Sequence, residues 1–112
     1  MYSKELLKGT LQTIVLKLLK DHGKMYGYEI SQKVKLLSDD TLVITEGALY
    51  PTLHKLESEG YLTTERVMIG NRVRKYYQLT SDGKSFVGEK LQEFQDFVLL
   101  MGKVLQLKPS AI

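Results

Sequence analysis

The 112-residue sequence predicts a mainly helical fold with one small β-hairpin. Three observations support this fold class. Apolar residues recur at helical spacing in segments on both sides of a central stretch. Between residues 61 and 79 the pattern changes to the alternation of two strands around a Gly-Asn tip. Apolar residues make up 43% of the chain, which is enough for a hydrophobic core without any cysteine cross-link.

The first two helices are predicted from about Ser3 to Asp21 and from Tyr26 to Leu37. An apolar stripe defines the first helix, and Gly23 after it suits a helix end that needs an unusual backbone conformation. The second helix stops where residues 38–40 (Ser-Asp-Asp) break the pattern. The apolar residues that follow at 42–44 (Leu-Val-Ile), two of them β-branched, predict a short stub of strand.

A third helix is predicted to begin after Thr45, whose hydroxyl suits the N-cap position. Its buried face is formed by Leu49, Leu53 and Leu56. Pro51 lies inside this helix, and an interior proline removes one backbone hydrogen bond, so we expect a local kink or an irregular first turn.

Two strands follow, from Tyr61 to Met68 and from Val73 to Leu79, and a long final helix begins after Thr80. The apolar residues of this helix repeat at alternating spacings of four and three, the heptad pattern of a helix that pairs with another helix. The predicted dimer interface is Val87, Leu91, Phe94, Val98, Met101 and Leu105. The alternative is that this stripe packs onto its own domain.

This order of elements is that of a winged helix-turn-helix with an added dimerisation helix. We expect residues 1–80 to form the DNA-binding domain, and residues 81–112 to form the dimerisation helix and a short tail. In such a fold the third helix enters the major groove of DNA and the hairpin, or wing, contacts the backbone or the neighbouring minor groove.

The distribution of charge agrees with a polyanionic partner. The net charge is only +3, but Arg66, Arg72, Arg74 and Lys75 lie within ten residues that contain no acid. A basic hairpin that is merely solvated is the alternative. The side of the third helix opposite its leucines carries small and basic residues, which allow close approach to DNA. The candidate DNA-binding residues are Tyr28, Thr45, Gly47, Tyr50, Pro51, His54, Lys55, Arg72, Arg74 and Lys75.

Some of these side chains have a structural interpretation as well. Tyr28 and Tyr50 can each offer a hydroxyl to a phosphate or serve only in packing. Tyr76 and Tyr77 are expected in the core of the hairpin rather than stacked on bases. Phe94 is expected to pack at the dimer interface, with contact to a ligand as the alternative.

Three segments together resemble the PadR family of bacterial transcriptional regulators, in its small form with a single C-terminal helix. They are YGYEI at residues 26–30, GALYPTLHKLESEGYL at 47–62 and RKYYQLTSDG at 74–83. The last 30 residues are similar only in forming a long helix with an apolar stripe. The resemblance implies a homodimer that binds a pseudo-palindromic DNA operator and usually represses transcription. It also implies release by a hydrophobic or aromatic small-molecule effector, for which Phe94 and Phe97 are the candidate contacts.

Other function classes are disfavoured. His22 and His54 are the only histidines, and neither has metal ligands or a catalytic partner at a suitable spacing, so we expect no metal, no cofactor and no enzymatic activity. No apolar run is long enough to cross a membrane, and no signal-peptide pattern is present, so we expect a cytoplasmic protein. A winged-helix adaptor that binds proteins instead of DNA remains the alternative function, because a fold does not fix a function.

Overall fold

The computed structural model describes residues 2–108, which form four helices and a three-stranded antiparallel sheet. In chain order the elements are α1 (Lys4–His22), β1 (Met25–Tyr26), α2 (Gly27–Leu37), α3 (Glu46–Ser58), β2 (Leu62–Ile69), β3 (Arg72–Leu79) and α4 (Ser81–Val104). The predicted fold class, mainly helical with a hairpin wing and a long last helix, is confirmed. Residues 109–112, the end of the segment predicted as dimerisation helix and short tail, lie outside the described part of the chain.

The helices begin where the sequence places hydroxyl side chains. The side chain of Ser3 accepts a hydrogen bond from the backbone N–H of Leu6 at 3.2 Å. The side chain of Thr45 caps α3 in the same way, at 3.3 Å from the N–H of Ala48. Each bond satisfies a backbone donor that has no partner inside the helix. Helix α3 runs through Pro51 without interruption in its helical residues.

The third strand of the sheet is not the one that the sequence predicted. Residues 42–44 form no strand, and Ile44 is instead buried in the core. The third strand is β1, two residues long, in which Met25 pairs with Tyr77 and Tyr26 pairs with Tyr76. Because β1 leads directly into α2, this pairing fixes the start of α2 against the base of the wing.

The hairpin has the predicted tip. Strands β2 and β3 pair without a bulge from Leu62 opposite Leu79 to Ile69 opposite Arg72. The two connecting residues are Gly70 and Asn71, and Gly70 has a φ of 62°. A positive φ at the first position of a two-residue turn favours glycine and suits the twist of a hairpin.

The first turns of α4 belong to the core that the preceding helices and the sheet form. Thr80 caps α4 by accepting from the N–H of Gly83 at 3.0 Å, and its hydroxyl donates to the carbonyl of Gly60 at 2.6 Å. The rings of Tyr61 and Phe86 stack with centroids 3.9 Å apart. Val87 is fully buried in the same cluster as the leucines of α1 and α3. The predicted boundary at residue 80 therefore divides elements that pack together.

Candidate nucleic-acid interface

Helix α3 exposes one continuous face. Leu49, Leu53 and Leu56 are almost completely buried, as the spacing predicted. The opposite side is exposed at Gly47, Pro51, His54, Lys55 and Ser58. Since Gly47 has no Cβ and no atom within 4 Å of where one would lie, the N-terminal half of this face offers little steric resistance to a partner. Such a face has the shape required to approach base edges in a major groove.

The three predicted wing cations differ in their surroundings. Arg72 is exposed next to the tip of the hairpin. The guanidinium of Arg74 lies over the ring of Tyr26, with its central carbon 4.1 Å from the ring centroid. The Nζ of Lys75 lies 3.7 Å from a carboxylate oxygen of Glu57 on α3. Arg72 therefore extends freely from the wing, whereas Arg74 and Lys75 also connect the wing to α2 and α3.

Tyr26 is the centre of the contact between the wing and α2. Its ring packs edge-on against Tyr76 at 5.5 Å and near-parallel to Tyr28 at 6.5 Å. Its backbone N–H donates to the carboxylate of Glu29 at 3.1 Å. The side chain of Tyr76, as a hydrogen-bond partner, raises the pKa of Arg74 above its usual value. The planar face of the charged guanidinium is held on an aromatic ring.

Tyr50 joins α3 to the start of α2. A Cβ added to Gly27 would lie 2.5 Å from the hydroxyl oxygen of Tyr50, so the tyrosine fits only because residue 27 is glycine. Burial, and secondly the carboxylate of Glu46, raise the pKa of Tyr50. The hydroxyl therefore remains protonated and able to donate a hydrogen bond. This packing assigns Tyr50 a structural role, beside any contact with DNA.

A crevice of about 360 Å³ lies between the wing, the start of α2 and α3. We call it the wing crevice. It is lined by Tyr26, Gly27, Tyr50, His54, Val73, Arg74, Lys75 and Tyr77. Four of the predicted DNA-binding residues line this crevice: Tyr50, His54, Arg74 and Lys75. Arg72 lies beside it, next to Val73. Of the remaining predicted positions, Tyr28 is exposed at 61% of its surface, and Thr45 is occupied in capping α3.

The predicted dimer interface divides into two parts. Val87 has no exposed surface and Leu91 packs against the core of its own chain, so Val87 is corrected to a core residue. Phe94 and Val98 are exposed, Met101 is half-buried, and Leu105 is exposed just after the end of α4. Phe97, the other candidate ligand contact, is exposed over 54% of its surface.

Sequence reasoning missed several residues of this surface. Tyr26 and Glu57 orient the wing cations, yet their partners Arg74 and Lys75 are distant in sequence. Lys24, just before β1, pairs with Glu65 of β2 at 3.1 Å. The spacing of residues along the sequence does not indicate contacts between residues so far apart in the chain. The tyrosine at position 26 stands within the YGYEI segment, which drew attention to Tyr28 instead.

Residues 15–89 match the transcriptional regulator PadR-like family. The chain belongs to this family. Its members are transcriptional regulators rather than enzymes, in agreement with the expectation from the sequence. Among residues 2–108, no cluster of three or more His, Asp or Glu side chains could hold a metal ion. Within the same residues, no helix has the length and apolar character to span a membrane.

Three relatives of this PadR-like chain match between 73% and 92% of its length. An uncharacterised protein of Lysinibacillus sphaericus is 32% identical over 98 residues, which is 86% of this chain and 88% of the relative. A transcriptional regulator from Clostridium thermocellum superposes with a TM-score of 0.82 at 31% identity, covering 92% of this chain and 97% of that one. Bacillus subtilis PadR, solved in complex with operator DNA, has a TM-score of 0.66 at 30% identity. That match covers 73% of this chain and 46% of the Bacillus subtilis protein.

Proposed function

We propose that this PadR-like regulator is a cytoplasmic homodimer that represses transcription by binding a pseudo-palindromic operator, and that a hydrophobic or aromatic effector releases it. One observation carries the DNA-binding part of the proposal. The exposed face of α3 and the cations of the wing flank the same crevice, so a DNA duplex can contact both at once. The complex of Bacillus subtilis PadR with operator DNA supports the same use of the fold.

In this proposal α3 lies in the major groove and the wing follows the adjacent backbone. Gly47 and Pro51 allow close approach, while His54 and Lys55 contact a base edge or a phosphate. Arg72 and Arg74 contact phosphates through their positive charges, and the guanidinium of Arg74 is held flat on the ring of Tyr26. Lys75 contributes less, because Glu57 already neutralises part of its charge.

The second half of α4 supports a homodimer. In this part of α4 and directly after it, six large apolar side chains of the described chain are exposed over half of their surface or more: Phe97, Val98, Leu99, Leu100, Val104 and Leu105. So many exposed apolar side chains on one segment mark an interaction site. A two-fold dimer presents two copies of α3, and half-sites spaced by about 34 Å then make the operator a pseudo-palindrome.

The effector is proposed to bind at this same helix. Phe94 and Phe97 are exposed aromatic rings within the apolar surface and suit a flat hydrophobic molecule. A ligand bound between the two copies of α4 changes the distance or angle between the two copies of α3 without contacting α3 itself. The proposed dimer interface starts after Leu91, because Val87 and Leu91 pack against the core of their own chain.

The proposal is tested by DNA binding over a series of salt concentrations. The wild-type chain is expected to prefer its own promoter fragment over random DNA, with an affinity that falls steeply with salt. The variant Arg72→Ala with Arg74→Ala is expected to flatten this dependence by about one unit for each lost phosphate contact. A reporter gene under the same promoter then measures repression. No preference for the promoter, or affinity independent of salt, contradicts the proposal and favours a protein-binding adaptor.

A further inference from the structure

A second basic crevice lies where α1, α3 and α4 meet, and we call it the lysine crevice. Its volume is about 220 Å³. Lys8 and Gln12 line it from α1, Thr52 and Lys55 from α3, and Lys90 from α4. Three cationic side chains from three helices therefore converge on one depression, although they are distant in sequence. Neither Lys8 nor Lys90 belongs to the helix-turn-helix or to the wing.

The position of the lysine crevice around α3 is the decisive observation. Successive residues of a helix are separated by about 100° around its axis. The outermost line of α3 runs along Gly47, Pro51 and Ser58, opposite the buried leucines. Tyr50 and His54 lie to one side of this line and face the wing crevice. Thr52 and Lys55 lie to the other side and face the lysine crevice.

A helix that occupies the major groove has a sugar–phosphate backbone along each of its sides. If the wing crevice faces one backbone, the lysine crevice faces the other. The first backbone is met by Arg72 and Arg74 of the wing, and the second needs cations on the opposite side of α3. Lys8, Lys55 and Lys90 are in that place.

The charges of the crevice are available for an anion. No acidic side chain lines it. Within residues 2–108, Lys8 and Lys55 form no ion pair. Lys90 pairs with Glu93 at 3.1 Å, and Glu93 is exposed over 71% of its side chain. An exposed pair three residues apart on one helix is weak, so Lys90 can exchange this carboxylate for a phosphate. Gly9 has no atom within 4 Å of a Cβ position, which leaves room for a DNA backbone to approach α1.

We propose that Lys8, Lys55 and Lys90 bind a phosphate of the DNA strand opposite the wing. The inference rests on the proposed function and adds two residues, Lys8 and Lys90, to the interface. Contacts from α1, α4 and the wing to the DNA backbones on both sides of the major groove hold α3 at a fixed depth and angle. The contact is independent of base sequence, so it contributes to affinity and orientation rather than to specificity.

The test uses the full chain with Lys8→Gln and Lys90→Gln together. Its matched control is Lys20→Gln with Lys103→Gln, which removes the same charge from exposed positions of the same two helices. Binding to a fluorescently labelled duplex is measured by anisotropy over a range of salt concentrations. In the crevice variant, log affinity is expected to fall less steeply with log salt, by about one unit of slope per lost phosphate contact. The control is expected to keep the wild-type slope. Equal slopes for the two variants overturn the inference.

A second arm separates the DNA backbone from a free anion. Inorganic phosphate is titrated into the DNA-free protein at constant ionic strength, and the backbone amides of Gly9 and Gln12 are followed by NMR. Saturable shifts together with an unchanged DNA slope overturn the inference and assign the crevice to a free anion. A lowered DNA slope without such shifts supports the inference. Lys8→Gln alone provides a milder variant if the double substitution disturbs folding.

The outcome is distinguishable from failure of the proposed function. The wild-type chain and the wing variant, Arg72→Ala with Arg74→Ala, are measured in the same experiment. If the wild-type chain does not bind duplex DNA, the proposed function itself fails. If it binds and only the wing variant has a lower slope, the proposed function holds and the lysine crevice is not part of the interface.

Discussion

The guanidinium carbon of Arg74 lies 4.1 Å from the ring centroid of Tyr26, so a cation–aromatic contact joins the wing to the residue that precedes α2. Arg72, two residues earlier on the same strand, extends from the hairpin without such a support. The two arginines carry the same charge but depend on it in different ways. Arg74 also needs the flat shape of the guanidinium, whereas Arg72 needs only its charge and its reach.

This difference leads to the first prediction, which compares Arg74→Lys with Arg72→Lys. Lysine keeps the positive charge but cannot stack a planar group on Tyr26, so Arg74→Lys is expected to weaken DNA binding. Arg72→Lys is expected to change the affinity little. Anisotropy titrations measure both, and the slope against salt should stay the same because no charge is lost. Equal affinities for the two variants would show that the contact with Tyr26 does not position the wing.

The contrast between these arginines also marks how far the sequence could predict the interface. Periodicity located the four helices, the hairpin and the exposed face of α3, because burial repeats with the period of each element. The pairing of Met25 and Tyr26 with β3 was missed, because a strand of two residues is too short to show alternation. The predicted stub at residues 42–44 was wrong: Ile44 is buried and Leu42 packs against the core without strand pairing, whereas Val43 is exposed.

The heptad pattern of the last helix was ambiguous for a physical reason. Packing on the own domain and packing on a partner both need apolar residues at the same spacing. Val87 and Phe94 lie on the same stripe, yet Val87 is fully buried and Phe94 is 38% exposed. Only the position of the domain beside the first turns of α4 separates the two uses. The lysine crevice was likewise beyond prediction, as its cations come from three helices.

The second prediction concerns two glycines of α4. A Cβ on Gly83 would collide with the backbone carbonyl of Tyr61, whereas a Cβ on Gly88 would have no atom within 4 Å. Gly83→Ala is therefore expected to destabilise the fold by about 1–3 kcal/mol, since a backbone group cannot rotate away. Gly88→Ala is expected to stabilise it by about 0.5–1 kcal/mol through helix propensity. Urea unfolding measures both, and effects of the same sign would contradict the close approach of α4 to Tyr61.

The third prediction tests the orientation of the proposed dimer seam. Val98 lies on the heptad stripe, and its neighbour Leu99 points about 100° away around the helix. Both side chains are exposed over half of their surface or more. In a two-fold dimer, Val98→Asp buries two carboxylates. Burial of polar groups without partners costs several kcal/mol of association free energy. Val98→Asp is expected to give monomers, whereas Leu99→Asp retains the dimer.

Solution sizing and light scattering measure the association state of both variants, and circular dichroism checks that they are folded. Leu91 is unsuitable for this experiment because it packs against the core of its own chain, so an aspartate there can unfold the domain. A dimer that survives Val98→Asp but not Leu99→Asp would place the seam on another side of α4. Monomers of Val98→Asp are also expected to lose operator binding, because one half-site supplies too few contacts.

The fourth prediction concerns the carboxylate that Lys90 contacts. Glu93→Gln removes the partner of Lys90, so the lysine no longer has to exchange an ion pair for a phosphate. It also removes one negative charge per chain, and Glu89→Gln is the control because it removes the same charge from an exposed position one turn earlier on α4. Exposed ion pairs contribute about 0.2–1 kcal/mol, so Glu93→Gln is expected to tighten DNA binding by up to about fivefold beyond the control. Anisotropy at low salt measures this difference. If the two variants bind equally, Lys90 does not reach the DNA, and the second backbone contact reduces to Lys8 and Lys55.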